Sequence, residues 1–260
     1  MAVRSTKAYI RYRSETVALL DFAVFVSYAV PALRNDIVET QAGTRASLFP
    51  PDFFHKSNVL VTLSELLTRE STYEKKLAAY TLLTHFSFFE SFVADVILEM
   101  IDFHGGADQF TKRIEAKMKR FMAPHPPDVA KLKRKLQDSE TPAKHEKYRK
   151  YARQLAGYGF RFPGELLAAY GVRTLTARIQ RLKAVEIPDL LVHALQLDLS
   201  DAERNEFHRI RKIRNRIAHG QPSTLSMTDS MKMNKALRQL AIRISDHLLE
   251  NYFVIEKYSP

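Results

Sequence analysis

Arg214, Asn215 and His219 are the residues of this chain best equipped for chemistry, and they stand together in the run Arg211-Lys-Ile-Arg-Asn-Arg-Ile-Ala-His-Gly220. An arginine holds a phosphate through its fork of N–H donors, and a histidine moves a proton near neutral pH. With a neighbouring amide, they are the minimum equipment for cleaving RNA without a metal. Arg120 and His125 have similar spacing, but Pro124 lies between them and Pro126 follows, so no regular helix holds that pair.

The elements that must position these groups read as helices. Glycine is scarce and apolar residues recur at three and four rather than alternating, which predicts an all-α fold. Expected helices run Ser14–Val38, Ser57–Glu70, Thr72–Phe103, Asp108–Met122, Pro127–Gln154, Pro163–Lys183, Pro188–Leu195, Ser200–His219 and Met227–Phe253. Gly105-Gly106 should end the long third helix. Ser200 with Glu203 forms a capping box that starts the motif helix, and Gly220 with Pro222 stops it. On a helical wheel Phe207, Ile210, Ile213, Ile217 and Ala218 share one apolar face with Arg214 inside it, while Arg209, Lys212 and Arg216 lie opposite. His208, Arg211, Asn215 and His219 form a polar edge beside that face.

A guanidinium on an apolar face needs a counter-charge or an anion, because its own charge never titrates away. Glu90 meets the same description on the long helix, in the middle of a stripe made by Phe86, Val93, Ile97 and Ile101. The two charges are expected to be buried and paired with each other. An architectural ion pair accounts for Arg214 and Glu90 equally, and a helix C-cap accounts for His219.

The chain has 260 residues, 45% hydrophobic, with 16 Phe and 11 Tyr, so it can bury a sizeable core. The absence of cysteine excludes disulfides, thiolate zinc sites and a cysteine nucleophile. No histidine or carboxylate cluster has ligand spacing, so neither metal nor cofactor is expected. The N-terminus lacks the order of a secretory signal, and no apolar run approaches the length of an uncharged span; the expectation is a cytoplasmic protein without a membrane partner.

A net charge of +11 favours a polyanionic partner. Residues 111–153 alone carry 14 Lys and Arg against 5 Asp and Glu. This stretch reads as a basic helical lobe inserted at about 106–162, whose Lys131, Lys133, Arg134, Lys135, Lys147, Arg149 and Lys150, together with Arg211, are candidate RNA contacts. Tyr148, Tyr151, Tyr158 and Phe160 interleave with the charges as base-stacking surfaces would, and a solvated helical hairpin has the same composition.

Arg214, Asn215 and His219, with the run Phe89-Glu90-Ser91-Phe92, resemble the HEPN superfamily, whose signature is an arginine, commonly followed by a polar residue, and a histidine four to six residues on. The resemblance covers about residues 64–256, interrupted by the basic lobe, and leaves 1–63 as an N-terminal helical extension. It implies a helical bundle that forms a homodimer with two motifs facing each other. It also implies a metal-independent endoribonuclease of toxin or phage-defence type, leaving a 2′,3′-cyclic phosphate, with a cognate antitoxin or defence-system partner. In one toxin subgroup a tyrosine two residues after the histidine is modified by a partner nucleotidyltransferase; Gln221 stands there in this chain. A noncatalytic HEPN-like module that binds RNA or protein is the alternative. A helix-turn-helix DNA regulator is a third reading, although no tight turn followed by a basic recognition helix stands out.

Overall fold

The computed structural model describes residues 5–46, 62–110, 181–222 and 224–254, with isolated positions at 112, 128, 131, 132, 135, 147, 150, 151, 153, 154 and 179. Every described element is helical: α1 (Lys7–Gln41), α2 (Leu63–Glu70), α3 (Tyr73–Phe103), a 3-10 turn (Ala184–Glu186), α4 (Ile187–His193), α5 (Asp201–Ala218), α6 (Met227–Leu248) and a π-helical turn (Leu249–Val254). The all-α expectation holds. The expected helices at 127–154 and 163–183 fall almost wholly outside the described residues.

The chain divides into two compact units, one comprising Met1–Tyr12, Phe89–Arg211 and Leu237–Pro260, the other Arg13–Phe88 and Lys212–Ala236. In the first unit, Phe92, Val93, Val96, Ile97 and Met100 of α3 are enclosed. Tyr12 packs on Phe92 with ring centroids 5.2 Å apart and edge-on to Phe89 at 6.3 Å, and Phe89 continues the cluster to Phe207 of α5 at 6.0 Å. α1 begins seven residues earlier than its apolar spacing predicts. Its first N–H groups find acceptors far away in sequence: Lys7 and Ala8 N–H donate to the two oxygens of Glu99 on α3, at 2.9 and 2.8 Å.

α3 ends where Gly105 and Gly106 take φ of +88° and +90°. Gly106 N–H closes back onto the Ile101 carbonyl at 3.0 Å. The next residue inward, His104, is buried, stacked on Phe110 at 4.5 Å and bonded through Nε2 to the Tyr252 carbonyl at 2.7 Å. Tyr252 lies in the π-helical turn, and its hydroxyl donates to the Leu195 carbonyl at 3.1 Å. The last helix therefore changes pitch at Leu249, although Met227–Phe253 reads as one α-helix in sequence.

In the second unit α1 continues through Pro31 with Ala23 and Ile37 buried. α2 starts at Leu63, because Thr62 is extended (ψ 156°) and caps the helix through a box with Glu65, so the helix expected over Ser57–Glu70 does not run through residue 62; residues 57–61 lie outside the described residues. Leu77, Ala78, Leu82 and Phe86 of α3 are buried, and Ser230 of α6 donates to the Ala78 carbonyl at 2.9 Å. α1 and α3 are each long and apolar enough to cross a membrane by length and composition; half of α3's most apolar window is buried, but only 11% of α1's.

Candidate functional site

The motif helix α5 is delimited as its sequence dictates. Ser200 N–H donates to Glu203 Oε2 at 2.9 Å and Glu203 N–H returns a bond to Ser200 Oγ at 3.3 Å. Burial pushes the Glu203 carboxyl up, but the Ser200 hydrogen bonds and the Arg243 guanidinium outweigh it, so the group sits below its ordinary value. At the other end Gly220, at φ +71°, donates to the Ile217 carbonyl at 2.9 Å, and Gln221 N–H reaches the Arg216 carbonyl at 3.0 Å. This pair of bonds is a Schellman closure, and it makes His219 the residue on which the helix ends.

Between these limits the side chains sort by face. Phe207 and Ile210 are buried, Ile213 and Ile217 half-buried, and Arg209, Lys212 and Arg216 exposed. Ala218, expected on the apolar face, is exposed instead. Arg209 is held by Glu206 through two 2.7 Å bonds, which keep the Glu206 carboxyl below its ordinary value.

Arg214 is half-buried rather than enclosed. Its guanidinium carbon stands 5.3 Å from the centre of the Phe86 ring, a cation–π contact, and its Nη1 donates to Asn215 Oδ1 at 3.1 Å. The Asn215 carboxamide thus spends its oxygen on the arginine and keeps its N–H donors for another acceptor. His219 begins the next turn, its N–H bonded to the Asn215 carbonyl at 3.0 Å. Its imidazole is exposed and carries no hydrogen bond or ion pair among the described residues. The geometry gives a planar cation fixed in orientation and a titratable ring open to solvent one turn on.

Glu90 is half-buried in the first unit, whereas Arg214, Asn215 and His219 belong to the second. The expectation of deep burial therefore fails for both Arg214 and Glu90. Arg211 is half-buried, with its Nε lacking a hydrogen-bond partner among the described residues. Phe86 is the site residue that the sequence reading assigned only to the core. Its signal was present, an aromatic one turn before Glu90 in an otherwise apolar stripe, but periodicity alone cannot reveal that a cation rests on it.

Of the basic residues expected to touch RNA, Lys131, Lys135, Lys147 and Lys150 occupy helical positions and are exposed. Lys135 Nζ stands 4.9 Å over the Tyr151 ring. Lys133, Arg134 and Arg149 lie outside the described residues. Among the described residues no three His, Asp or Glu side chains gather into a metal-binding group.

No protein-family model, curated protein or solved structure matches this chain.

Proposed function

We propose that this chain is a HEPN-like, metal-independent endoribonuclease of toxin or phage-defence type, acting as a homodimer on single-stranded or looped RNA. The observation that carries the reading is the arrangement on the last two turns of α5: Arg214 oriented by Phe86 and Asn215, with His219 exposed at the helix end. In this reading the RNA 2′-oxygen attacks the adjacent phosphorus, the bond to the 5′-oxygen breaks, and a 2′,3′-cyclic phosphate remains. One imidazole accepts the 2′-OH proton and another gives a proton to the departing 5′-oxygen, so the partner's His219 supplies the second role. Arg214 neutralises the charge growing on the equatorial phosphate oxygens, and the Asn215 N–H donors hold one of them.

The test is incubation of the full chain with structured RNA in EDTA. Cleavage to 2′,3′-cyclic ends, lost in His219→Ala and in Arg214→Ala, is the expected result. RNA bound but intact would overturn the catalytic reading in favour of a noncatalytic RNA-binding module. The exposed Lys131, Lys135, Lys147 and Lys150 suit that alternative, because phosphate binding needs cations but no acid or base.

A further inference from the structure

Arg204 and Arg211 differ from the other arginines of α5. Arg209 is held by Glu206, Arg214 rests on Phe86 and bonds Asn215, and Arg216 is exposed. Arg204 and Arg211 are both half-buried, and the Nε of each is enclosed without a hydrogen-bond partner. Neither guanidinium makes an ion pair among the described residues. The neighbouring carboxylates of the helix are already committed, Glu203 to Ser200 and Arg243, and Glu206 to Arg209. Because a guanidinium cannot shed its charge, a half-buried one with no carboxylate beside it is completed by an anion from outside the chain.

Seven residues apart, the two arginines stand two turns along one face of α5, about 10.5 Å of helix rise from each other. His208 lies between them on that face, half-buried, its ring edge-on to Phe207 with centroids 5.8 Å apart. All three belong to the first unit.

We infer that Arg204, His208 and Arg211 form a row that binds successive phosphates of single-stranded RNA. A line of separate donors along one helix suits a ligand whose anionic groups also repeat along a line. A guanidinium fork matches the two free oxygens of a phosphodiester, and an imidazole between two forks adds a further donor. A single strand is flexible enough to follow one helix face, whereas a rigid duplex turns its phosphates away from it. The net charge of +11 draws a polyanion to the chain in the first place. The choice of RNA rests on the endoribonuclease reading of the same helix; the row itself concerns binding and is separable from cleavage.

Fluorescence anisotropy with a labelled 2′-O-methyl RNA twelve-mer, which lacks the attacking hydroxyl, measures binding by the full chain whether or not it cleaves. Arg204→Gln with Arg211→Gln should weaken binding and flatten the slope of log affinity against log salt by about 1.4, roughly 0.7 for each lost phosphate contact. Lys212→Gln with Arg216→Gln removes two charges from the exposed side of the helix and should leave affinity and slope close to wild type. Each single glutamine variant should show half the loss, which keeps the test decisive if the double variant fails to fold. Arg204→Lys with Arg211→Lys should keep the slope but lose affinity, because lysine retains the charge without the fork.

A wild type that does not bind the oligonucleotide overturns the inference, as does an equal loss in the Lys212 and Arg216 pair. Displacement of the oligonucleotide by ATP or by polyglutamate at matching concentration overturns it in favour of a nucleotide or an acidic peptide. The endoribonuclease reading fails in a different way. Unmodified RNA that is bound through Arg204 and Arg211 but left intact removes the nuclease and keeps the row, whereas cleavage with unchanged KM in the double glutamine variant removes the row and keeps the nuclease.

Discussion

Glu99→Ala should destabilise the protein through α1, although residue 99 is 92 positions from the groups it serves. The first N–H groups of a helix have no intrahelical acceptor, and here two of them are satisfied by one carboxylate at 2.9 and 2.8 Å. A charge-assisted bond contributes about 1.5–3 kcal/mol when sheltered, and the Lys7 bond is exposed, so the lower end applies there. With roughly 0.5 kcal/mol from the helix dipole, the loss should total about 2–3 kcal/mol. For a chain of this size that is a fall in Tm of roughly 4–12 °C. Glu99→Gln, which keeps one oxygen and loses the charge, should cost about half. Asp95→Ala is the matched control one turn away: its 3.3 Å pair with Arg11 is largely solvated and should contribute under about 1 kcal/mol. Urea denaturation at fixed protein concentration measures all three. If Glu99→Ala lies within about 0.5 kcal/mol of Asp95→Ala, the carboxylate does not anchor α1 and the reasoning fails.

Gly220→Ala should cost about 1 kcal/mol, because φ +71° strains any side chain; nothing lies within 4 Å of the added Cβ, so backbone strain is the whole effect, readable in thermal melts. Replacing Lys133, Arg134 and Lys135 with glutamine should weaken RNA binding and flatten its salt dependence by up to roughly 0.7 log units per lost contact; an unchanged slope in filter binding would mean that these residues are solvent-facing only. Acid should destabilise the fold through Glu65, Glu203 and Glu206, each held below its ordinary value near 4.5. A folded-state value below the unfolded one adds stability that is complete above the unfolded value and lost as pH falls through the folded one, so urea midpoints should drop below about pH 4.5. His219→Ala should keep most of the RNA affinity in the same filter assay, since one imidazole adds little to phosphate contacts.

The parts of the fold that were legible in sequence are those decided by neighbours along the chain. The Ser200–Glu203 box, the Gly220 stop, the Gly105-Gly106 break and the span of α3 all rest on local geometry, and all stand within a residue of expectation. What was not legible depends on distant partners. The start of α1 is fixed by Glu99, the depth of Arg214 by Phe86, and the change of pitch at Leu249 by contacts with Leu195 and His104. A helical wheel treats every turn as equally covered, which is why it placed Ala218 inside. It likewise enclosed Arg214, whose cation instead lies against the edge of the core, on an aromatic face. At the candidate site the sequence supplied the residues and their order along one helix; the role of Asn215 as the arginine's acceptor needed coordinates.

The π-helical turn at Leu249–Val254 has its own consequence for variation in this chain. A π turn takes up an extra residue relative to an α turn, so it acts as a phase shifter for whatever follows. Three contacts depend on that phase: the Tyr252 hydroxyl on Leu195, the Tyr252 carbonyl on His104, and Phe253 against Phe103 with centroids 4.6 Å apart. The tail is consequently held by the number of residues before it more than by their identity. A conservative substitution at Asn251 leaves the count intact, whereas deleting that one residue would rotate Tyr252 and Phe253 by about 100° and unseat all three contacts at once.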